Sequence, residues 1–323
     1  MKEKDKTLNY FAVKHKDWDV RANSRSGGIF TAISDYLLEL NGVVYGARLT
    51  DNFTAEHFRA ETKNKRNLLR GSKYVQSKLC DTFLSVENDL SSNRLVLFSG
   101  TPCQVAGLLR FLEIKKIDTQ NLYTLDIVCH GVPTEKVWID YLGWIQKTHS
   151  KKIVKVDFRN KVNYGWGDHV ESVWFEDGTR FDGKYFKYLF YRHYIIRPSC
   201  FECRFKGNYL SDFTIGDCWG IQRSHPEFND DKGISLLILH NEKAEKLFDK
   251  IKGELEVLEV KPEEVYQKPL FQPEECPVDR DKFWKVYNKK PFKTVVNKFA
   301  IDGFSVKFKR KIKSILKRLG VMR

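Results

Sequence analysis

At 323 residues, with 41% hydrophobic and 14% aromatic content, the chain can bury one large or two moderate cores and is too apolar for a disordered chain. No run approaches the roughly 18 to 20 apolar residues of a membrane-crossing helix, and Met1-Lys-Glu-Lys-Asp-Lys6 lacks the apolar stretch of a secretory signal. The net charge of +14 is concentrated in one place: residues 281–323 hold 14 Lys and Arg against 2 Asp and Glu, leaving a nearly neutral 42 against 40 elsewhere.

Residues 1–22 read as a polar lead-in with some strand character at Tyr10 to Val13. Next, Ile29, Ile33, Leu37 and Leu40 recur at helical spacing between Ser26-Gly27-Gly28 and the stop signal Asn41-Gly42. Glycines leave backbone N–H groups bare at a helix start, which suits either a plain cap or a bound phosphate. Val43 to Arg48 reads as a strand, Gly71-Ser72-Lys73-Tyr74 as a loop able to touch a phosphate or a flavin edge, and Leu79 to Leu90 as a helix.

Two apolar runs then end in cysteine turns, Leu95-Val-Leu-Phe-Ser-Gly100-Thr101-Pro-Cys103 and Leu122-Tyr-Thr-Leu-Asp126-Ile-Val-Cys129-His130. Between them Val105, Leu108, Leu109 and Leu112 share one helix face, so the segment predicts a βαβ unit. Such a crossover places the carboxyl ends of both strands on one sheet edge, with Cys103 and Cys129 facing one crevice. Asp126 and His130 bracket Cys129 and are the candidate proton-handling pair.

After a helix beginning near Thr134 the expected order is a strand at Ile153 to Phe158, a hairpin from His169 to Phe181 turning at Asp177-Gly178, and an aromatic helix from Lys184 to Tyr194. Arg197-Pro-Ser-Cys200-Phe-Glu-Cys203 adds a C-x-x-C pair. Ser211 to Gly220, Gly233 to His240 and Leu255 to Val260 read as strands, the last two flanking a helix at Glu242 to Lys252. The fold class expected is a mixed α/β protein with a βαβ-containing first half and a mixed-sheet second half. The boundaries read as residues 1–22, 23–117, 118–270 and a basic tail over 271–323. In that tail Phe304, Phe308, Ile312, Ile315 and Leu319 form an apolar stripe among lysines, the pattern of a helix that docks on an anionic membrane surface or simply packs. Nucleic acid is not expected as a partner.

Cys103, Cys129, Cys200 and Cys203 supply four sulfurs, the ligand count of a [4Fe-4S] cluster and also of structural zinc. Three well-separated ligand groups suit a site assembled by the fold better than a compact zinc ribbon. Seven cysteines in a chain without a signal fit a reducing cytoplasm. Cys218 is a fifth candidate ligand, Cys80 and Cys276 have no neighbouring motif, and Arg159, Lys161 and Arg197 are candidate anion contacts. Neither a G-x-G-x-x-G turn nor a Walker loop is present.

Seven motifs together resemble the coenzyme F420 hydrogenase/dehydrogenase beta subunit family: Ser26-Gly-Gly with Thr31, Gly42-Val-Val-Tyr-Gly46, Gly71-Ser-Lys-Tyr74, Leu97-Phe-Ser-Gly-Thr-Pro-Cys103-Gln, Asp126-Ile-Val-Cys129-His-Gly-Val-Pro, Arg197-Pro-Ser-Cys-Phe-Glu-Cys203 and Asp212-Phe-Thr-Ile-Gly-Asp-Cys-Trp-Gly220. The resemblance runs from about Asn23 to His240. It implies an iron–sulfur flavoprotein oxidoreductase that passes electrons from a ferredoxin-type donor through a [4Fe-4S] cluster and FAD to an organic acceptor. It makes Cys103, Cys129, Cys200 and Cys203 the cluster ligands. Ser26, Gly27, Gly28, Thr31, Ser72, Lys73, Tyr74, Gly100 and Thr101 become the FAD neighbourhood. The chain departs from many relatives in having no ferredoxin module before Asn23 and in carrying Cys218 where an aromatic residue is common. Its similarity to shorter bacterial relatives implies a role in surface-polysaccharide biosynthesis, in the cytoplasm or on the inner membrane face. The competing reading is a zinc-stabilised scaffold with a membrane-docking tail.

Overall fold

The computed structural model describes residues 8–301. The amphipathic stretch from Phe304 to Leu319 lies outside them. Among the described residues no helix is long and apolar enough to cross a membrane.

Twelve strands are described: β1 (Asn9–His15), β2 (Val43–Leu49), β3 (Ala55–Ala60), β4 (Ser77–Lys78), β5 (Val96–Gly100), β6 (Leu122–Ile127), β7 (Ile153–Asp157), β8 (Glu171–Phe175), β9 (Arg180–Gly183), β10 (Phe213–Asp217), β11 (Ser235–Leu239) and β12 (Leu255–Glu259). Nine form one mixed sheet in the order β12-β1-β11-β10-β6-β5-β2-β3-β4, and β7-β8-β9 form a second. The middle of the larger sheet, β10-β6-β5-β2, is parallel throughout. Parallel strands are covered on both faces, which explains the unbroken apolar run at Val96-Leu97-Phe98.

The βαβ unit forms as the spacing predicts. The helix Pro102–Lys115 joins β5 to β6 and buries Val105, Leu108 and Leu112. Helix Ile29–Glu39 buries Ile29, Ile33 and Leu37 and stops where Asn41 turns to φ 57° and the Gly42 N–H returns to Leu37 O at 2.8 Å.

The strand character expected at Tyr10 to Val13 belongs to β1, which lies between β11 and β12, antiparallel to both. Residues 55–60 form β3, paired antiparallel to β2, a strand that Glu56, His57 and Arg59 disguise by polarity. The basic stretch after 271 also begins as packed chain, since Phe283, Val295, Val296 and Phe299 enter the aromatic core around Trp138, Tyr141 and Phe186. Tyr194 stacks on Phe283 at 5.2 Å between centroids. Lysines on the outer faces of the helices Arg280–Lys289 and Phe292–Val295 hide an apolar inner face, which charge counting alone misses.

Candidate cofactor and electron-transfer site

The carboxyl ends of β5, β6 and β10 open onto one cavity of about 310 Å³. Cys103, Cys129 and Cys200 line it, as do Arg25, Gly28 and Tyr74. A ligand of open α/β folds binds at this edge because adjacent crossovers leave a crevice there.

Local chemistry sets each sulfur. Thr101 precedes the helix Pro102–Lys115, and its N–H donates to Gln104 Oε1 at 3.0 Å, which fixes the turn that presents Cys103 in the first helical turn. Thr101 Oγ1 lies 3.2 Å from Cys103 Sγ. Past β6 the chain turns at Gly131 with φ +113°, and two successive amides point at sulfur: Gly131 N–H donates to Cys129 Sγ and Val132 N–H to Cys200 Sγ, both at 3.4 Å. Lys206 ties this loop down by donating to the Cys129 and Pro269 carbonyls. Cys203 is not among the cavity-lining residues, but its charge acts on Cys200.

Burial pushes the Cys129 thiol up to about 11; Lys206 and the Gly131 N–H work against it, while Cys103 and Cys200 add to it. Cys200 moves in the same direction, again first by burial. Neighbouring thiolates repel in a low dielectric, so these sulfurs ionise together only when positive charge lies among them. Among the described residues no three His, Cys, Asp or Glu side chains are grouped so as to hold a metal ion. Four thiolates on one zinc crowd around a single atom at about 2.3 Å, whereas a cubane cluster takes each thiolate on a separate iron and suits a wider ring.

Of the residues expected near FAD, Ser26, Gly28, Ser72, Lys73, Tyr74, Gly100 and Thr101 line the cavity. Gly27 and Thr31 do not. Gly27 is pressed against β1 and β11, where an added Cβ would stand 2.1 Å from Val13 O, and its N–H donates to Ser235 Oγ. Thr31 faces the core and is fully buried. Lys73 donates to the Leu68 and Arg70 carbonyls at 3.1 and 2.7 Å, and burial pushes its ammonium down to about 7.

The pair Asp126 and His130 is not brought together on the cavity. His130 lines it and lies 3.4 Å from Glu274, but Asp126 takes the opposite face of β6 and accepts from Thr214 Oγ1 across the β6–β10 register. Alternation along the strand is the reason, since Ile127 and Asp126 must point to opposite sides. Burial pushes the Asp126 carboxyl up to about 6. Cys218 is likewise removed from the ligand candidates: it is buried in an apolar cluster with Ala12, Ile234 and Val265.

The three candidate anion contacts separate. Arg159 is committed to Asp217 at 2.5 Å and to the Trp166 and Asp168 carbonyls, and Lys161 to the carbonyls of Arg21 and Ser26. Arg197 lines the cavity near Cys200 and donates to Gln76 at 2.5 Å. Sequence reading missed Arg25, Arg70 and His57, all on the cavity wall. Arg25 could have been found from its place beside Ser26-Gly-Gly, but His57 belongs to the strand hidden by polarity. Its Nδ1 pairs with Ser77 Oγ at 2.6 Å and its Nε2 with Ser99 O at 3.1 Å, while burial pushes it down to about 4, leaving a neutral ring.

The sequence profile for the C-terminal part of the coenzyme F420 hydrogenase/dehydrogenase beta chain matches residues 93–265, which takes in β5, β6, β10 and all four candidate cysteines. The structure is similar to a chain from a xenon derivatization of the F420-reducing [NiFe] hydrogenase complex of Methanosarcina barkeri. The TM-score is 0.55 at 19% identity, covering 88% of this chain and 90% of that one, a likeness of fold. No curated protein matches in sequence. The cysteine turns at the ends of β5 and β6 and the C-x-x-C loop beside them fall inside the matched span, and the chain belongs to the coenzyme F420 hydrogenase/dehydrogenase beta subunit family, a family of oxidoreductase subunits.

Proposed function

We propose that this chain is an iron–sulfur flavoprotein that passes electrons from a ferredoxin-type donor through a [4Fe-4S] cluster and FAD to an organic acceptor. One observation carries the reading: Cys103, Cys129 and Cys200 share a cavity with the glycine-rich start of helix 29–39 and the loop 71–74. Cys103, Cys129, Cys200 and Cys203 would hold the cluster, and Ser26, Gly28, Ser72, Lys73, Tyr74, Gly100 and Thr101 would surround FAD. Bound there, the two groups supply one-electron and hydride chemistry respectively.

The protein's own part is to orient and to shield. The Gly131 and Val132 amides donate to sulfur, which stabilises thiolate character and shifts reduction potential upward. His57, held neutral by burial, offers no charge to the wall it shares with Ser77. His130, which lines the cavity 3.4 Å from Glu274, would exchange a proton with the organic acceptor. The neighbour of known structure comes from a multi-subunit hydrogenase complex, which supports a protein partner as electron donor. A function in surface-polysaccharide biosynthesis and a peripheral position on the inner membrane face belong to the same proposal, the latter through the basic tail.

The test is anaerobic preparation of the full chain. Flavin absorbance with about four irons and four sulfides per chain is expected. Colourless protein containing zinc and no flavin would refute the reading.

A further inference from the structure

One face of the folded chain carries positive charge that its own carboxylates do not offset. From Lys282 to Ile301 there are six lysines, at 282, 285, 289, 290, 293 and 298, and no Asp or Glu. All six are exposed. Their spacing sets Lys282, Lys285 and Lys289 on one side of the helix Arg280–Lys289, while Phe283, Val286 and Tyr287 turn into the aromatic core. None of the six has a carboxylate within ion-pair reach among the described residues. Exposed lysines elsewhere do: Lys63 holds Glu39, Lys136 holds Asp140 and Lys252 holds Asp249, at 2.7, 2.7 and 2.8 Å. Like charges fixed on one face repel, and a layer of anions relieves that repulsion.

These lysines belong to the fold and not to an appended tail. Val295, Val296 and Phe299 are buried behind Lys293 and Lys298, and Arg192 Nη1 donates to the Phe299 carbonyl at 2.7 Å. Segment 296–300 packs against the helix Tyr185–Tyr191, whose Phe190 and Tyr191 line the cavity. The orientation of the lysine face relative to the cavity is therefore set by the core.

The composition of the face selects its partner. Protein interfaces are depleted in lysine and depend on aromatic or arginine anchors, but Trp284 and Phe292, the aromatic residues nearest these lysines in sequence, pack against the core. A lipid headgroup layer needs no carved pocket and takes each lysine as a point charge on a flexible stem. The sequence beyond Ile301 adds seven Lys and Arg between residues 307 and 318, around the apolar residues Phe304, Phe308, Ile312, Ile315 and Leu319. It departs from this same lobe, because Ile301 packs against the core behind the lysines.

We infer that the lysine face of residues 282–298 docks on an anionic phospholipid surface, so that the folded lobe itself, and not the stretch after Ile301 alone, holds the chain there. This deepens the peripheral-membrane part of the proposed function and rests on it, and it is independent of flavin and cluster.

The test is flotation of the full chain with vesicles of phosphatidylglycerol and phosphatidylcholine, and with vesicles of phosphatidylcholine alone. Two charge-reversed variants are compared: Lys285→Glu with Lys289→Glu and Lys293→Glu on the folded face, and Lys309→Glu with Lys311→Glu and Lys313→Glu beyond it. Far-UV circular dichroism and flavin content check that each variant is otherwise intact. The parent is expected to float with the anionic vesicles only, and to leave them as salt shortens the screening length from about 10 Å at 0.1 M to about 3 Å at 1 M. The folded-face variant is expected to partition at least about tenfold more weakly, since each lysine near an anionic surface contributes several-fold. If that variant floats like the parent while the second variant does not, the inference is overturned and the peripheral-membrane reading stands. A parent that floats with neither vesicle overturns both, and saturable binding of duplex DNA or an acidic ferredoxin would then assign the face to that partner. Should the folded-face variant not fold, glutamine at the same three positions carries the comparison, with a smaller loss expected and parental flotation overturning the inference.

Discussion

The Val132 N–H donates to Cys200 Sγ at 3.4 Å, a bond between the turn after β6 and a loop 68 residues further along the chain. It forms because Gly131 takes a left-handed turn that aims two amides at two sulfurs. An alanine Cβ at Gly131 would stand 3.1 Å from Ile196 Cδ1 and 3.3 Å from Cys200 Cβ, on a φ of +113° that side chains rarely adopt. Gly131→Ala is expected to cost about 1–3 kcal/mol and to lower iron content after anaerobic reconstitution. Thermal melting and iron analysis check it; a variant with parental iron content would show that the turn does not position the sulfurs.

The cysteines divide into two groups by surroundings. Cys103→Ser is expected to lose bound iron and sulfide with little change in the fold of the metal-free chain, since its side chain is exposed at the cavity wall. Cys218→Ser places a hydroxyl in an apolar cluster, so it should lower stability by about 1–3 kcal/mol and leave iron content unchanged. Iron analysis beside denaturant unfolding separates them.

Asp217 lines the cavity and accepts from Ser26, Trp166 and Arg159. Burial opposes its charge, yet Arg159 and Arg25 hold the carboxyl below the usual range. Asp217→Asn leaves Arg159 as a buried cation without its counter-ion, for an expected loss of about 3–5 kcal/mol. Urea unfolding of parent and variant reads it, and a loss under about 1 kcal/mol would show that Arg159 finds another partner.

Glu171, on β8, is enclosed beside Tyr141, and burial pushes its carboxyl up to about 8, against the pull of the Lys187 N–H and the Tyr141 hydroxyl. The folded chain therefore keeps this proton between about pH 4.5 and 8 while the unfolded chain releases it. Its contribution is present in full below pH 4.5 and falls as pH rises through that window, by an amount on the order of 5 kcal/mol. Relative to the parent, Glu171→Gln should gain stability steadily from pH 5 to 8. Parallel melting curves for the two proteins across that range would disprove the assignment.

Much was legible beforehand because it depended on local pattern. The apolar spacing at Val105, Leu108 and Leu112, set between two short β-rich runs, defines a crossover between parallel strands, so Cys103 and Cys129 had to reach the same sheet edge. Seven motifs in order identified the family, and the profile match over 93–265 agrees. His57 and β3 escaped notice because a strand carrying Glu56, His57 and Arg59 reads as loop.

By itself the sequence determined the mixed α/β class and the edge of the sheet where the sulfurs collect, since these follow from periodicity and turn chemistry, and its seven motifs pointed to the family by resemblance. Only the tertiary structure decided which polar groups serve the cavity and which serve the fold. Asp126, Arg159, Lys161 and Cys218 are drawn into internal bonds or apolar packing, while Arg25 is left on the wall with idle donors. The physical reason is that pairing depends on partners brought from distant parts of the chain, such as Asp217 with Arg159 and Thr214 with Asp126, and no local pattern records who those partners are.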